Sequence, residues 1–579
     1  MIPVDENQFS LSSRSEPSLR DPQQVMKLAR LGSFHQTRLS FMRVLLRRLV
    51  KDNWQFSRGH WLVDNSGVGV AVYTAKGPER SYSLVAFANN LDPAKRSDRV
   101  IAEEWDATFT LFDGVPTQDD IDRLSRNVPV QEAGRVSGSE LSLSRANRSV
   151  RLFDYVRKKL ANGEQPDPDE LDKVGYLMRT TAVYGSGKFG AADRRFIADR
   201  EEFAAPFQSE LLSVFMIRAF STDIVEHLAH CDNPNKFVPL DADIKRRLGI
   251  GNSTGLGMAP FIVNHPTLLN NWILARETAL SNVRAIEWPE QSDVSAFKQF
   301  LQRQISGVDE WQTEHDYQHQ KIIALESDLK LLKQCTDTGL SSEKPFLWNR
   351  LFQWAERELS LEGQECLVTL MLELYPQQVD YLSASMSIDE SLHFTINGRM
   401  SLAEVTTLIQ NNYGFIDQYD PQSGTDNARF WYASEEKLEP RLGERFAEEG
   451  AEKEHPLATA RDVAALAEDL NAQPDKLSSI AEFLLHHPQH RHSVRRVQQS
   501  ASHPYSEIAD NLIASDMLPV DLLRCKLSFF GAVKFDPRSD RWVRITMYQH
   551  APNMDEINAL AACPDQADDW IYPPLAASL

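Results

Sequence analysis

Two glycine-rich stretches hold the residues best suited to chemistry. The first contains Arg179, Tyr184, Ser186, Gly187 and Lys188. Its glycines allow backbone N–H groups to turn toward one point, where Lys188 would hold an anion and Tyr184 would move a proton. The stretch is not a nucleotide-binding P-loop, because Ala182 and Phe189 occupy positions that require glycine and Ser or Thr. We interpret it as an anion- or substrate-binding loop, with a flexible turn between helices as the alternative.

The second stretch runs over residues 248–260 and leads to His265 and a helix that begins near Pro266. Asn252, Ser253 and Thr254 would orient a ligand through hydrogen bonds, and His265 would exchange a proton near neutral pH. Amides close to the positive end of the helix favour a carboxylate or a phosphate. No Gly-x-Gly-x-x-Gly pattern follows a strand, so a dinucleotide site is not indicated. Close packing of helices is the competing explanation for the glycines.

A third stretch, residues 429–445, combines aromatic residues with alternating acids and bases around Arg441. This mixture suits a substrate clamp, and we include Arg441 among the substrate-binding candidates. A solvated surface is the alternative interpretation.

Metal ligation is not expected from the histidine pattern. His315 and His319, like His486 and His490, are four residues apart, but neither pair forms His-Glu-x-x-His or has a third ligand at fixed spacing. Pro488 also interrupts the second pair. We therefore interpret these histidines as surface or core residues, predict no metal, and leave the cofactors unknown because no motif indicates one.

The elements that would position these residues predict an α+β fold that is predominantly helical. Four strands near the N-terminus, around residues 60–63, 67–74, 82–88 and 108–112, are separated by turn signals and predict a small antiparallel meander. A helical centre follows, with helices expected over residues 140–160 and 171–181. The C-terminal part is mixed, with hairpins expected around Asn397-Gly398 and residues 536–540.

The same pattern suggests four segments. Residues 1–24 are polar and predict a flexible arm, and residues 25–117 a helix with the antiparallel meander. Residues 118–335 predict a helical central domain with the two glycine-rich loops. Residues 343–579 predict a mixed helical and hairpin C-terminal domain.

Composition bounds the partners. The 579 residues include 62 Lys and Arg against 82 Asp and Glu, a net charge of -20, which disfavours nucleic-acid phosphates and anionic membranes. Five scattered cysteines and no apolar stretch long enough to span a bilayer predict a soluble cytoplasmic protein without a membrane partner. The sequence is also compatible with a homo-oligomer.

Two functions from different classes fit these observations. The first is a cytoplasmic enzyme that performs metal-free acid–base chemistry on a small anionic metabolite bearing a carboxylate or phosphate. Elimination, isomerisation and hydrolysis all remain open, with Lys188, Tyr184 and His265 as the catalytic candidates. The second is a regulatory or scaffolding protein whose helices bind partners, with the glycines serving packing alone.

Overall fold

Helices and strands both contribute to the fold, and helices form the larger share. The computed structural model describes residues 18–31, 36–92, 104–130, 137–185, 197, 199–205, 207–252, 266–309, 311, 313, 316–386, 395–418, 431–434, 440–442, 454–457, 459–508, 528–531, 534–539 and 542–560. An α+β composition with predominant helices is thereby confirmed.

The described helices, in chain order, are α1 (Pro22–Val25), α2 (Leu28–Leu31), α3 (Phe41–Lys51), α4 (Gln118–Leu124), α5 (Phe153–Ala161), α6 (Pro168–Asp172), α7 (Gln208–Asp232), α8 (Ala242–Arg246), α9 (Pro266–Arg284), α10 (Gln291–Asp309), α11 (Asp316–Gly339), α12 (Leu347–Glu358), α13 (Leu361–Leu374), α14 (Pro376–Val379), α15 (Leu402–Asn412), α16 (Thr459–Ala472), α17 (Ile480–His486), α18 (Arg491–Ser500) and α19 (Met554–Leu560). Short 3₁₀ helices cover Glu201–Phe203, Asp380–Met386, Gly414–Gln418 and Pro488–His490.

The described strands are β1 (Gln55–Val63), β2 (Gly69–Lys76), β3 (Ser81–Ala88), β4 (Ala107–Asp113), β5 (Glu140–Arg148), β6 (Tyr176–Gly185), β7 (Gly249–Asn252), β8 (Trp431–Ser434), β9 (Pro440–Leu442), β10 (Glu454–Leu457), β11 (Lys534–Ser539) and β12 (Trp542–Met547).

The chain divides into two compact units. One, the helical unit, comprises Met1–Leu39, Leu256–Ser528 and Pro537–Trp542. The other, the sheet unit, comprises Ser40–Gly255, Phe529–Asp536 and Val543–Leu579. The four segments proposed from the sequence were predicted as separately folding parts of the chain, and they stay predictions.

A nine-stranded sheet in the order β1-β2-β3-β4-β5-β6-β7-β12-β11 organises the sheet unit. Strands β1 to β4 form the predicted antiparallel meander, which is confirmed. The antiparallel order continues through β5 and β6, whereas β7 runs parallel to β6 and antiparallel to β12. The sheet therefore extends well beyond the N-terminal part of the chain.

Two predicted helices are partly wrong. The helix predicted over residues 140–160 is wrong in its first half, and the helix predicted over residues 171–181 is wrong in its second half. Strand β5 occupies Glu140–Arg148 before α5 begins, and β6 begins at Tyr176 after α6 ends. On β5, Ser142 and Ser144 are buried together with Leu141 and Leu143. Because both faces of this central strand are covered, its polar and apolar residues do not alternate between solvent and core in the usual way.

Helix α7 packs on one face of the sheet through aromatic contacts. The ring centroid of Phe220 lies 5.3 Å from that of Phe109, and Phe215 lies 5.5 Å from Phe56. On the opposite face, Ile121 and Leu124 of α4 join a buried apolar cluster with residues of the sheet. The central strands are thus covered on both faces.

Arg218 of α7 is buried and contacts two segments of the chain, one that precedes β7 and one that follows β12. Its guanidinium donates hydrogen bonds to the carbonyl oxygens of Leu248 at 2.6 Å and Pro552 at 3.0 Å, and to those of Lys245 and Arg246. Burial lowers the pKa of Arg218 to about 9, which still leaves the group charged at neutral pH. The segment leading into β7 is therefore held by a charged donor.

Within the helical unit, α15 to α18 surround an apolar core of their own that includes Val405, Leu466 and Val494. Ser401 caps α15 in a capping box with Glu404, since each side chain bonds the other's backbone N–H. The hairpin predicted around Asn397-Gly398 is therefore wrong in its second strand, which was expected over residues 399–402. Asn397-Gly398 precedes a helix start, and the capping signal decides the local structure.

Candidate functional site

The two glycine-rich stretches follow neighbouring parallel strands. Arg179 of β6 pairs with Gly251 of β7, and Thr180 pairs with Asn252. The Thr180 hydroxyl donates a hydrogen bond to the Gly251 carbonyl at 3.2 Å. Because the strands run in the same direction, their carboxyl ends lie on the same side of the sheet. The first glycine-rich stretch continues from the carboxyl end of β6, and the second continues from the carboxyl end of β7.

Both stretches begin in strands and not in loops. Arg179 and Tyr184 lie within β6, and Asn252 is the last residue of β7. The P-loop comparison therefore does have a preceding strand, contrary to our expectation. The motif still fails, because Ala182 and Phe189 remain the wrong residue types.

Arg179 is buried and lies opposite Asn147 of β5. The Asn147 side chain accepts a hydrogen bond from the backbone N–H of Asp106 at 2.8 Å, which ties the β4 and β5 ends together. Two residues before Asn147, the guanidinium of Arg145 stacks 4.4 Å from the centre of the Trp105 ring. Arg145 lies opposite Ala182 and Asn147 opposite Arg179, with a β-bulge between Arg145 and Ala146, so the two arginines occupy the neighbouring strands β5 and β6.

Arg145 and Trp105 were not predicted as members of this region. Arg145 fell inside a predicted helix, which would have pointed it away from its strand neighbours. The signal that identifies the pair is the β4–β5–β6 register, which sequence periodicity did not provide.

Packing accounts for the glycines that lie in β7. A Cβ atom on Gly251 would approach the Tyr176 ring within 2.8 Å, and one on Gly249 would approach the Met547 carbonyl oxygen within 2.3 Å. Both distances are shorter than carbon contacts allow, so these two positions require glycine. The packing explanation is therefore supported for Gly249 and Gly251, although between strands and not between helices.

Several predicted site residues lie outside the described residues. They are Ser186, Gly187, Lys188, Ser253, Thr254 and His265. For Tyr184, Asn252 and Arg441, the backbone is described and the side chain is not. Arg441 lies on β9, opposite Tyr432 of β8, in the three-stranded sheet β10-β8-β9 of the helical unit. It thus belongs to a different unit from Arg179 and Asn252.

The helical unit contains a buried ionic cluster, which we call the Arg–Glu cluster, formed by Arg20, Arg30, Arg276, Glu277 and Glu365. Arg20 donates to both Glu277 oxygens at 2.7 and 2.8 Å and to Glu365 at 2.8 Å. Arg30 donates to the same Glu365 oxygen at 2.6 Å, and Arg276 lies 3.6 Å from Glu365.

Burial alone would disfavour the Glu365 carboxylate. The guanidinium groups of Arg20, Arg276 and Arg30 outweigh that effect and hold the pKa of Glu365 well below its usual range. Arg20 acts in the same way to lower the pKa of Glu277. Each carboxylate is enclosed by its partners, which is the arrangement of a structural ion cluster. Arg20 also belongs to the last part of the predicted flexible arm, so that part is packed.

One group of described side chains has the composition of a metal site. Asp469, His487 and His490 each present a ligand atom, and these atoms lie within 4.8 Å of one another. The four-residue spacing pairs His486 with His490, whereas in the structure His487 and His490 face Asp469. The third ligand comes from an earlier helix, so no fixed spacing could have revealed it.

Comparison with protein-family models, with curated proteins and with solved structures finds no match for this chain. Among the residues that the structure describes, no helix is long and apolar enough to cross a membrane.

Proposed function

We propose that the chain is an enzyme that binds a small anionic metabolite beside the carboxyl ends of β6 and β7 and performs acid–base chemistry on it. The observation that supports this most strongly is the parallel pairing of the two strands, Arg179 with Gly251 and Thr180 with Asn252. Ligands of open sheets bind outside the carboxyl ends of parallel strands, where loops and backbone amides converge. Here both such ends continue into glycine-rich polar sequence.

Charge supports an anionic ligand. Arg179 and Arg145 lie on adjacent strands, and Lys188 follows the end of β6. Guanidinium groups hold carboxylates and phosphates in a bidentate manner, and a nearby ring such as Trp105 limits access of water. The overall charge of -20 does not oppose this, because the local field near a bound ligand depends on its nearest groups.

In the proposed reaction, Arg179 and Lys188 pair with the carboxylate or phosphate. The side chains of Ser186, Asn252, Ser253 and Thr254 orient the ligand, together with the backbone of Gly187. Tyr184 or His265 transfers the proton. Such a reaction is an elimination, an isomerisation or a hydrolysis. A cytoplasmic location belongs to the same proposal, and substrate binding by Arg441 stays a separate prediction.

The test measures binding of phosphorylated and carboxylated metabolites by isothermal titration calorimetry. We expect Lys188→Ala and Asn252→Ala each to weaken binding roughly tenfold to hundredfold, since a hydrogen bond to a charged group contributes about 1.5–3 kcal/mol. Matched controls are Lys173→Ala and Asn90→Ala, which change exposed residues of the same unit. Equal affinity in the site variants and the controls would contradict the proposed site.

The alternative, a regulatory or scaffolding protein, predicts a different outcome. No small anion would bind at micromolar concentration, and both site variants would behave like the controls in every assay. Partner binding would then depend on exposed helix surfaces, which these substitutions leave unchanged.

A further inference from the structure

Asp469, His487 and His490 come together at the junction of three helices in the helical unit. Asp469 lies on α16, His487 ends α17 as its C-cap, and His490 ends the 3₁₀ turn that precedes α18. Pro488 starts that turn. The proline therefore ends α17 at a point that lets both imidazoles face the same carboxylate.

Two of the three separations between ligand atoms are close to those around one small cation, and all three are within 4.8 Å. His487 Nδ1 lies 3.5 Å from Asp469 Oδ2, and His490 Nε2 lies 2.7 Å from the same oxygen. Around tetrahedral zinc, with bonds of roughly 2.0–2.2 Å, neighbouring ligand atoms stand about 3.3–3.5 Å apart. The first separation already fits, and the second fits after an opening of about 0.6 Å.

Neighbouring groups fix the orientation of the rings. Phe483 stacks on His487 with a centroid distance of 4.5 Å and an angle of 14° between the ring planes. The Gln473 amide lies 3.4 Å from His487 Nε2, so that nitrogen has a hydrogen-bond partner while Nδ1 faces Asp469. The same Gln473 amide nitrogen donates to the Asp469 carbonyl oxygen at 3.2 Å, so Nε2 accepts and Nδ1 carries the hydrogen atom directed at the Asp469 carboxylate. A metal ion that binds Nδ1 displaces this hydrogen atom.

Access and burial are also appropriate. The His490 side chain is 7% exposed, whereas those of His487 and Asp469 are 26% and 40% exposed. One ligand is therefore anchored in the core of the helices, and the other two form an opening to solvent through which an ion enters.

We propose that Asp469, His487 and His490 bind one divalent transition-metal ion of the zinc class. Two imidazole nitrogens and one carboxylate oxygen form a three-residue ligand set that leaves the fourth position to water. The ion would clamp α16 to the turn between α17 and α18. This site shares no residue with the proposed metabolite site.

The experiment titrates Zn²⁺ into the full chain after removal of metal by a chelator, and repeats the titration with Co²⁺ while recording visible absorption. We expect one equivalent to bind and to raise the unfolding temperature. His487→Ala and Asp469→Asn should each lower the affinity at least tenfold and remove the absorption of tetrahedral Co²⁺. His486→Ala is the matched control, because His486 is the exposed neighbour of His487.

His487→Ala and Asp469→Asn change partly exposed side chains, so both variants should fold. Circular dichroism of each variant checks that its helix content equals that of the wild type. Absence of saturable binding by the wild-type chain would overturn the proposal. So would an affinity in His487→Ala and Asp469→Asn equal to that of His486→Ala, since the histidine and carboxylate would then serve only as a hydrogen-bonded pair.

Discussion

Replacing Glu365 by glutamine should destabilise the helical unit strongly. Glu365 on α13 accepts hydrogen bonds from Arg20 and Arg30, and lies close to Arg276. The Glu365→Gln variant would leave three buried guanidinium groups with Glu277 as the remaining carboxylate of the Arg–Glu cluster. Removing one partner of a buried ion pair costs roughly 3–5 kcal/mol, because the remaining charges stay desolvated.

The pH dependence gives the same prediction a second, independent readout. The pKa of Glu365 is lowered on folding, so below its unfolded value the unfolded chain binds more protons than the folded one. The cluster's stabilisation is complete above about pH 5 and decreases as the pH falls through the folded pKa. The wild-type protein should therefore lose stability on acidification more steeply than Glu365→Gln does.

Hydrogen exchange of peptides that cover α13 measures this locally. A loss of 3–5 kcal/mol corresponds to amide exchange faster by roughly a hundredfold to a few thousandfold wherever exchange follows opening of the helical unit. Glu358→Gln, at an exposed position on α12, is the control. A Glu365→Gln variant with the exchange rates and acid sensitivity of the wild type would refute the assigned role of the Arg–Glu cluster.

Two further substitutions test the packing around β7. Arg218→Leu should destabilise the sheet unit by about 3 kcal/mol or more in urea unfolding, because two buried and two partly buried carbonyls lose their donor. The control Arg126→Leu changes an exposed residue and should have little effect, and equal effects of the two substitutions would contradict this. Gly251→Ala should lower the free energy of unfolding by roughly 1–3 kcal/mol, because the new methyl group would contact the Tyr176 ring. The control is Gly138→Ala, whose methyl group meets no atom within 4 Å. An unchanged stability of Gly251→Ala would show that the Tyr176 ring moves aside.

Turn residues between short strands were sufficient to predict part of the sheet. The N-terminal meander was predicted because turn residues separate its strands. The hairpin expected around residues 536–540 is only partly right, because β11 and β12 are neighbours but β11 occupies residues 534–539, most of the predicted turn. The failure at β5 has a different cause. Its leucines and serines alternate with the period of a strand, but the pattern is short and is soon followed by helix α5, with which it was merged.

The candidate sites show the same limit. Arg179 and Asn252 were selected separately from glycine-rich sequence, and their neighbouring positions depend on the parallel pairing of β6 and β7. Arg145 was missed because its strand was predicted as a helix. His487 and Asp469 were missed as a pair because they lie on different helices, and only the turn at Pro488 brings them together.

The central claim is that the region beside β6 and β7 converts an anionic metabolite. The most direct measurement incubates the purified chain with a metabolite extract and follows all anions by mass spectrometry, beside the Lys188→Ala/Asn252→Ala double variant. We predict that the wild type consumes one carboxylate- or phosphate-bearing compound and forms its isomer, its elimination product or its hydrolysis product, while the double variant does neither. Unchanged extracts with the wild type, or equal turnover by the double variant, would contradict the account.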